Sequence, residues 1–139
     1  MSDIPFVLRE EVILRAGNRC EYCRLSQIGQ EATFHMDHVM PRADGGPTIF
    51  DNLALSCVSC SLRKWAHQMA PDPDSGEEVP LFNPRRQVWT EHFRWDEELV
   101  VALTPTGRAT AAALALNRPV ILVIRQEEAT RGRHPPGES

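Results

Sequence analysis

The stretch that decides the fold begins with Cys20-Glu21-Tyr22-Cys23 and ends with Asp51-Asn52-Leu53-Ala54-Leu55-Ser56-Cys57-Val58-Ser59-Cys60-Ser61-Leu62-Arg63-Lys64. Between them lies Phe34-His35-Met36-Asp37-His38-Val39-Met40-Pro41, followed by the turn Asp44-Gly45-Gly46. The spacing inside each Cys-x-x-Cys pair lets both sulfurs reach one ion from a tight turn, and two such pairs suit tetrahedral zinc. The sequence therefore predicts a structural zinc site on all four cysteines of the chain, Cys20, Cys23, Cys57 and Cys60.

Two disulfide bonds are the alternative use of the same four cysteines. The first residues, Met1-Ser2-Asp3-Ile4-Pro5, have neither the basic start nor the apolar run of a secretory signal. We therefore expect a cytoplasmic protein, in which thiols stay reduced, and this favours zinc over disulfides.

Length and composition predict one soluble domain with a short appendage. The chain has 139 residues, of which 42% are hydrophobic, and its richest apolar run, Val120–Ile124, is far too short to cross a membrane. The formal net charge of -4 means that any basic face for nucleic acid must be local. This argues against a protein that coats DNA, but it leaves room for an enzyme that touches a few phosphates.

The N-terminal half reads as a helix, two short strands and a second helix. Apolar residues at helical spacing predict a helix over Phe6–Arg15, and Ala32–Met40 reads as a strand closed by Pro41. Leu53–Ser56 is a candidate second strand, and Val58–Ala66 a helix that opens inside the second cysteine pair. This order places the predicted metal ligands at the ends of the elements.

The C-terminal half is expected to form an extension over residues 71–130, packed on a core of residues 1–70, with a disordered tail at 131–139. Thr104 is a plausible N-cap for the first helix of this extension, and Asn117 for the second. The elements expected there are a loop, a β-hairpin and two helices: Met69–Val79, His92–Trp95 with Leu99–Leu103, Pro105–Leu116, and a last helix that runs to about Thr130.

Asp37 and His38 form the strongest candidate for chemistry in the segment between the cysteine pairs. A histidine near its ordinary pKa can take a proton from water, and a carboxylate can hold a divalent cation that stabilises developing charge. Hard ions such as Mg²⁺ prefer oxygen ligands, so Asp37 suits that role and the sulfur site does not. We therefore expect two separate metals, a structural zinc on sulfur and a catalytic ion on oxygen.

The order of these motifs resembles the zinc-knuckle branch of the HNH endonucleases. The pattern is Cys-x-x-Cys, Asp-His-Val-x-Pro, Gly-Gly, Asp-Asn-Leu and Cys-x-x-Cys-x-x-x-Lys. Later stretches, Pro80–Arg85, Trp89–Phe93 and Thr104–Thr110, are similar to those of small bacterial HNH proteins, so the similarity extends over roughly residues 5–125. It implies an α+β architecture: a ββα-metal core with a four-cysteine knuckle, an N-terminal helix, and a C-terminal hairpin with helices.

The resemblance also implies an activity, namely metal-dependent hydrolysis of phosphodiester bonds that leaves a 5′-phosphate and a 3′-hydroxyl. Double-stranded DNA is the expected substrate, and Mg²⁺ or Mn²⁺ the expected catalytic ion. Carried over, His38 is the general base, Asp37 is an ion ligand, and Asn52 braces the loop that positions the base. Ser61 falls where the family has a His or Asn ligand, so it is the expected second ligand and a departure from the pattern.

Each of these residues also has a plainer interpretation. His38 could pack beside the zinc site, Asp37 could cap a turn or pair with Arg42, and Asn52 could be a turn residue. Strict strand alternation sends Asp37 and His38 to opposite faces, so their joint use requires a twist or bulge. His35 shares a face with Asp37 and could touch the ion instead.

Basic and aromatic residues near the motif are candidate contacts to nucleic acid. As single residues, basic side chains are more often solvated charges, and the stripe Trp89, Phe93 and Trp95 is better explained as core than as a base-stacking platform. The residues expected to hold phosphates are Arg63, Lys64, Arg85 and Arg86.

A zinc module that binds nucleic acid or a protein partner without cutting is the rival function. Ser61 and the acidic net charge favour this rival. The joint presence of Asp37, His38 and Asn52 favours the enzyme.

Overall fold

Two units make up the described part of the chain. A computed structural model describes residues 4–137. The N-terminal unit comprises residues 4–68 with Asn83–Arg86, and the C-terminal unit comprises Met69–Phe82 with residues 87–137. Most of the segment assessed for a secretory signal, residues 1–3, lies outside the described residues, as does the end of the predicted tail, residues 138–139.

The N-terminal unit is built on a two-stranded antiparallel sheet. Strand β1 pairs with β2 so that His35 lies opposite Ser56 and His38 opposite Leu53. All four residues of β2 are buried, which makes this strand the centre of the unit. The elements are helix α1 (Phe6–Arg15), β1 (His35–His38), the 3-10 turns Arg42–Asp44 and Phe50–Asn52, β2 (Leu53–Ser56) and helix α2 (Val58–Lys64).

Helix α1 has the predicted bounds, and its end leads the chain directly into the first cysteine pair. Gly17 and Asn18 both adopt positive φ angles, of 63° and 58°. The amide of Asn18 donates to the carbonyl of Ile13, and that of Gly17 to Leu14, which is the hydrogen-bond pattern of a Schellman cap. The cap reverses the chain two residues before Cys20.

The second strand and second helix also follow the sequence pattern. Strand β2 has the predicted bounds, and α2 begins at the predicted Val58 and ends at Lys64. The first strand is shorter than predicted, because only His35–His38 pairs with β2.

Two hairpins and three helices form the C-terminal unit. Buried aromatic side chains, including Phe82, Trp89 and Phe93, fill its core, and the Trp89 and Phe93 rings lie 4.9 Å apart between centroids. The elements are β3 (Met69–Pro71), β4 (Glu78–Pro80), α3 (Trp89–His92), β5 (Phe93–Asp96), β6 (Leu99–Ala102), α4 (Pro105–Ala113) and α5 (Pro119–Thr130).

The prediction of a loop over Met69–Val79 is wrong in one respect, because the two ends of this segment pair as the hairpin β3–β4. Asp72 holds the turn: its carboxylate accepts from the amide of Asp74 and from both Nε and an Nη of Arg108, the latter two at 2.9 Å. A partner on α4, distant in sequence, therefore fixes a segment whose proline and glycine content indicates only a loop.

One of the two predicted helix caps is correct. Thr104 Oγ1 accepts from the amide of Gly107 at the start of α4. Asn117 does not cap α5; its side-chain amide instead accepts from the Val100 amide and donates to the Val100 carbonyl, both at 2.8 Å. Together the helices and small antiparallel sheets confirm the α+β class.

Candidate metal centre and active site

Four buried cysteine thiols converge at one end of the N-terminal unit. Their sulfurs all lie within 4.8 Å of one another, and all four are free thiols. Cys20 and Cys23 follow the cap of α1, whereas Cys57 is the N-cap of α2 and Cys60 lies in its first turn. The end of β2 and the start of α2 therefore bring the second pair onto the first.

The sulfur geometry fits zinc. Two thiolates bound to one tetrahedral zinc at about 2.3 Å lie about 3.8 Å apart. The Cys23 and Cys57 sulfurs lie 3.7 Å apart, far longer than the roughly 2.05 Å of a disulfide. In each pair the amide of the second cysteine donates to the sulfur of the first at 3.4 Å. The cluster is thus compatible with a zinc knuckle.

Electrostatics inside the cluster favours the thiolate form of Cys57. The sulfur of Cys20, followed by those of Cys23 and Cys60, lowers the pKa of the Cys57 thiol strongly. A thiolate is the form of cysteine that binds metal. The neighbouring sulfurs raise the pKa of the Cys23 and Cys60 thiols at the same time, so the thiolate form is favoured at Cys57 and not at every member of the cluster.

Asp37 lies on the α2-facing side of β1 in a buried ion pair. Its carboxylate accepts a 2.6 Å hydrogen bond from the Tyr22 hydroxyl and lies 3.3 Å from the Lys64 ammonium. Burial raises the pKa of Asp37, and the Lys64 charge acts in the opposite direction. Burial, then the Asp37 charge, raises the pKa of Tyr22 well above its usual value, so the phenol stays protonated and donates. Lys64, rather than Arg42, is the partner of Asp37.

His38 lies on the opposite side of β1 from Asp37, because the pairing with β2 is regular and the residues alternate. Its Nε2 is 2.8 Å from Thr48 Oγ1 and 3.2 Å from Nε of Arg42. Because the Arg42 guanidinium can only donate, Nε2 of His38 accepts and a neutral ring carries its proton on Nδ1. Burial, followed by the Arg42 charge, lowers the pKa of His38. The side chain is thus held as a neutral base.

Asn52 braces the loop between the two strands. Its side-chain oxygen accepts from the Met40 amide at 2.9 Å, and its nitrogen donates to the carbonyls of Met40 and Pro47. Gly46 closes the same loop, and a Cβ there would lie 1.7 Å from the Met40 carbonyl oxygen. Asn52 thereby ties together the segment that carries Thr48, the hydrogen-bond partner of His38.

Ser61 faces His35 rather than standing free. Its hydroxyl lies 2.9 Å from Nδ1 of the half-buried His35 ring. His35 and Asp37 thus face α2 through two successive contacts, the first with Ser61 and the second with Lys64. The structure brings these four residues into one layer between β1 and α2.

Two of the four predicted phosphate contacts are committed to internal partners. Lys64 is 2% exposed. Arg85 pairs with the buried Glu21 carboxylate and donates to the Leu53 carbonyl at 3.1 Å. Arg63 and Arg86 are exposed, so only these two of the four present a charge to a ligand in this structure.

The sequence interpretation overlooked two partners of the candidate catalytic residues. Tyr22 lies between Cys20 and Cys23. Its position in the sequence therefore indicates the metal site and not a contact with Asp37. Thr48 lies in the loop after the glycine turn, and its contact with His38 depends on how Asn52 folds that loop. No spacing rule connects either residue to its partner.

Comparison with known proteins settles what this arrangement is similar to. The family model for HNH endonuclease matches residues 20–66. In that segment the chain is similar to HNH endonucleases. The segment contains both cysteine pairs, Asp37, His38, Asn52 and Ser61, so the resemblance seen in the motifs is confirmed there. No curated protein and no solved structure matches the chain.

The HNH match supports a nuclease-like function related to nucleic acid at the level of the family. HNH domains hydrolyse phosphodiester bonds with the help of divalent metals. Among the described residues, no helix combines the length and the apolar character that crossing a bilayer requires.

The layer between β1 and α2 has donors that suit a hard cation. Around the Lys64 ammonium lie both Asp37 carboxylate oxygens, at 3.3 and 3.4 Å, and the carbonyl oxygens of His38 and Val39, each at 3.3 Å. Oxygen donors of this kind are those that Mg²⁺ and Mn²⁺ prefer. The ammonium group therefore marks a position that already stabilises positive charge.

Proposed function

We propose that the protein is an HNH-type endonuclease that hydrolyses phosphodiester bonds of nucleic acid, with DNA as substrate and His38 as general base. The observation that supports this most is the setting of His38 at the end of β1: its Nε2 accepts from Arg42, and the loop that follows the strand is braced by Asn52. A general base needs a lone pair near the reacting water and a pKa near or below the working pH.

In this reaction His38 takes a proton from the attacking water at Nε2. Arg42 and Thr48 contact this nitrogen in the structure, so both would have to move off it before the water could donate to it. The Arg42 side chain is exposed, so its guanidinium can also meet a phosphate oxygen. Proton removal and phosphate positioning would then come from one face of β1.

The second metal of the proposal belongs to the other face of β1. Asp37 would hold Mg²⁺ or Mn²⁺, with Ser61 as the additional oxygen donor. Such an ion would stabilise negative charge on the phosphate and on the leaving oxygen. Because regular pairing places Asp37 and His38 on opposite faces of β1, their joint action on one phosphate would require the end of this strand to twist. The zinc on the four cysteines would be structural, since four thiolates leave no open coordination position.

Arg63 and Arg86 are the proposed contacts to the nucleic-acid backbone. Both are exposed, and both belong to the N-terminal unit that carries the HNH motif. Because the chain has a net charge of -4, these contacts would be few and binding would weaken with salt.

The test is cleavage of supercoiled plasmid by the zinc-loaded protein with Mg²⁺, Mn²⁺ or EDTA. We expect nicking with either ion and none with EDTA. His38→Ala should lower the rate by about 10²–10⁴-fold, whereas His67→Ala, which removes an exposed histidine, should leave it unchanged. A His38→Ala protein that cuts at the wild-type rate would show that another group activates the water.

A binding module without cleavage is the second candidate, and one observation favours it. Asp37 is buried and already paired with Lys64, and Ser61 is hydrogen-bonded to His35. If the protein retards DNA in a gel but cuts neither DNA nor RNA with any of the ions, this second function is the better description.

A further inference from the structure

We propose that the Lys64 ammonium is the counter-ion of the Asp37 carboxylate, and that a divalent ion binds Asp37 only by displacing this ammonium. The inference rests on the proposed role of Asp37 as an ion ligand and extends it to metal loading. Lys64 is thereby assigned to control of the metal site instead of to phosphate contact.

The contacts of Lys64 resemble those of a bound ion more than those of a surface lysine. Its ammonium touches four oxygen atoms, two from the Asp37 carboxylate and two from the carbonyls of His38 and Val39. Asp37 is 8% exposed and Lys64 2% exposed, so water screens this pair little.

Charge balance makes simultaneous occupancy unfavourable. The groups that face the carboxylate are Lys64 and the Tyr22 hydroxyl, and the His38 side chain lies on the other side of β1. One carboxylate balances one ammonium. A divalent ion added beside the ammonium would place three positive charges against a single negative charge in a buried site, which is strongly repulsive.

The residue type suits an exchange. The chain has fifteen basic residues, and Lys64 is its only lysine. An ammonium is a compact point charge on a flexible four-carbon stem, whereas a guanidinium is a planar fork suited to fixed bidentate pairs. The flexible stem lets the ammonium leave Asp37 and both carbonyls together, which would open all four oxygen atoms to an ion.

Binding of Mn²⁺ to zinc-loaded protein, followed by electron paramagnetic resonance, tests the exchange without measuring cleavage. Lys64→Met should bind Mn²⁺ at least about tenfold more tightly than the wild type, because the competing charge is gone. Arg63→Met removes the same charge one residue earlier without touching Asp37, and its Mn²⁺ affinity should equal that of the wild type. The double variant Asp37→Asn with Lys64→Met should lose the tight site.

Nuclear magnetic resonance tests the same exchange in the unaltered chain, in case Lys64→Met does not fold. Labelling lysine with ¹³C gives a single Cε resonance, since Lys64 is the only lysine. We expect Mg²⁺ to shift this resonance with a saturable dependence in the wild type, but not in Asp37→Asn.

Two results would overturn the exchange. One is a Lys64→Met protein, folded by circular dichroism, whose Mn²⁺ affinity is no greater than that of the wild type. The other is a wild-type Cε resonance that stays fixed while Mg²⁺ saturates the protein. Failure of the proposed nuclease function is separate, because it would appear as absent plasmid cleavage whatever the Mn²⁺ affinities are.

Discussion

His35 Nδ1 lies 2.9 Å from Ser61 Oγ. This pair joins β1 to the first turns of α2. Lys64 follows Ser61 by three residues and contacts Asp37. The resemblance to HNH endonucleases implies a longer His or Asn ligand at position 61. In this structure the nearest imidazole is that of His35, which lies on the strand and not on the helix. A longer side chain at position 61 would therefore contact the His35 ring.

Ser61→Asn should strengthen the proposed catalytic ion site, because an amide oxygen reaches further than a hydroxyl. We expect cleavage to become half-maximal at about tenfold lower Mn²⁺ than in the wild type. The measurement is a Mn²⁺ titration of plasmid nicking.

The His35 contact supplies the control for that titration. His35→Ala combined with Ser61→Asn removes the ring that a longer side chain would meet, and it should enhance cleavage at least as much as Ser61→Asn alone. If both proteins need as much Mn²⁺ as the wild type, Ser61 is not a weak ion ligand.

Cys57→Ser should remove zinc and unfold the N-terminal unit. Cys57 caps α2 and touches the first cysteine pair, so its loss breaks the cluster where two distant segments meet. Structural zinc contributes about 10–16 kcal/mol in small zinc domains, which equals or exceeds much of the roughly 5–15 kcal/mol range of stability of a typical protein. Zinc stoichiometry by mass spectrometry and far-ultraviolet circular dichroism would show it.

Ser59→Ala is the matched control, since it alters a serine hydroxyl between the same two cysteines and spares both sulfurs. It should keep one zinc per chain. A folded Cys57→Ser protein without zinc would contradict the structural role of the metal.

Acid should switch off cleavage only well into the mildly acidic range. Burial and Arg42 lower the pKa of His38 below its ordinary value of 6.5. The base works when neutral, so activity should rise with pH through this lowered pKa, and the acid limb should lie below pH 6.5. The pH dependence of kcat/KM reports the pKa of the free enzyme.

Arg42→Gln tests the cause of that shift. Removing the positive charge should move the acid limb to higher pH, whatever happens to the maximal rate. Zinc content must be checked at each pH, because thiolates also take up protons. An acid limb that stays in place in Arg42→Gln would show that Arg42 does not set the pKa of His38.

The four-cysteine cluster, helix α1 and strand β2 could be predicted from the sequence because each depends on local spacing. Cys-x-x-Cys brings both sulfurs within one turn, and Gly17-Asn18 after an apolar periodic segment is typical of a helix C-terminus. The α+β class was implied by the resemblance of the motifs to HNH endonucleases and agrees with these elements.

The partners of the site residues could not be predicted because they join segments far apart in the chain. Lys64 reaches Asp37 across 27 residues, and Arg85 reaches Glu21 across 64. The sequence marks both as basic residues beside a nuclease motif, which predicts phosphate contact. Burial decides otherwise, and burial follows from the packing of whole elements. The hairpin β3–β4 was missed for the same reason, since Arg108 holds its turn from α4.

Gly46→Ala should loosen the loop that carries the His38 contacts. The φ angle of Gly46 is not in the left-handed region, so the difficulty is space: a Cβ would lie 1.7 Å from the Met40 carbonyl oxygen and 3.0 Å from Nδ2 of Asn52. Backbone must move to admit the methyl group, which typically costs about 1–3 kcal/mol. We expect a lower Tm and slower cleavage with zinc content unchanged. Gly137→Ala, where no atom lies within 4 Å of the added Cβ, should match the wild type in all three measurements. A Gly46→Ala protein with wild-type Tm and rate would mean that the loop tolerates the displacement and that the brace by Asn52 does not position His38.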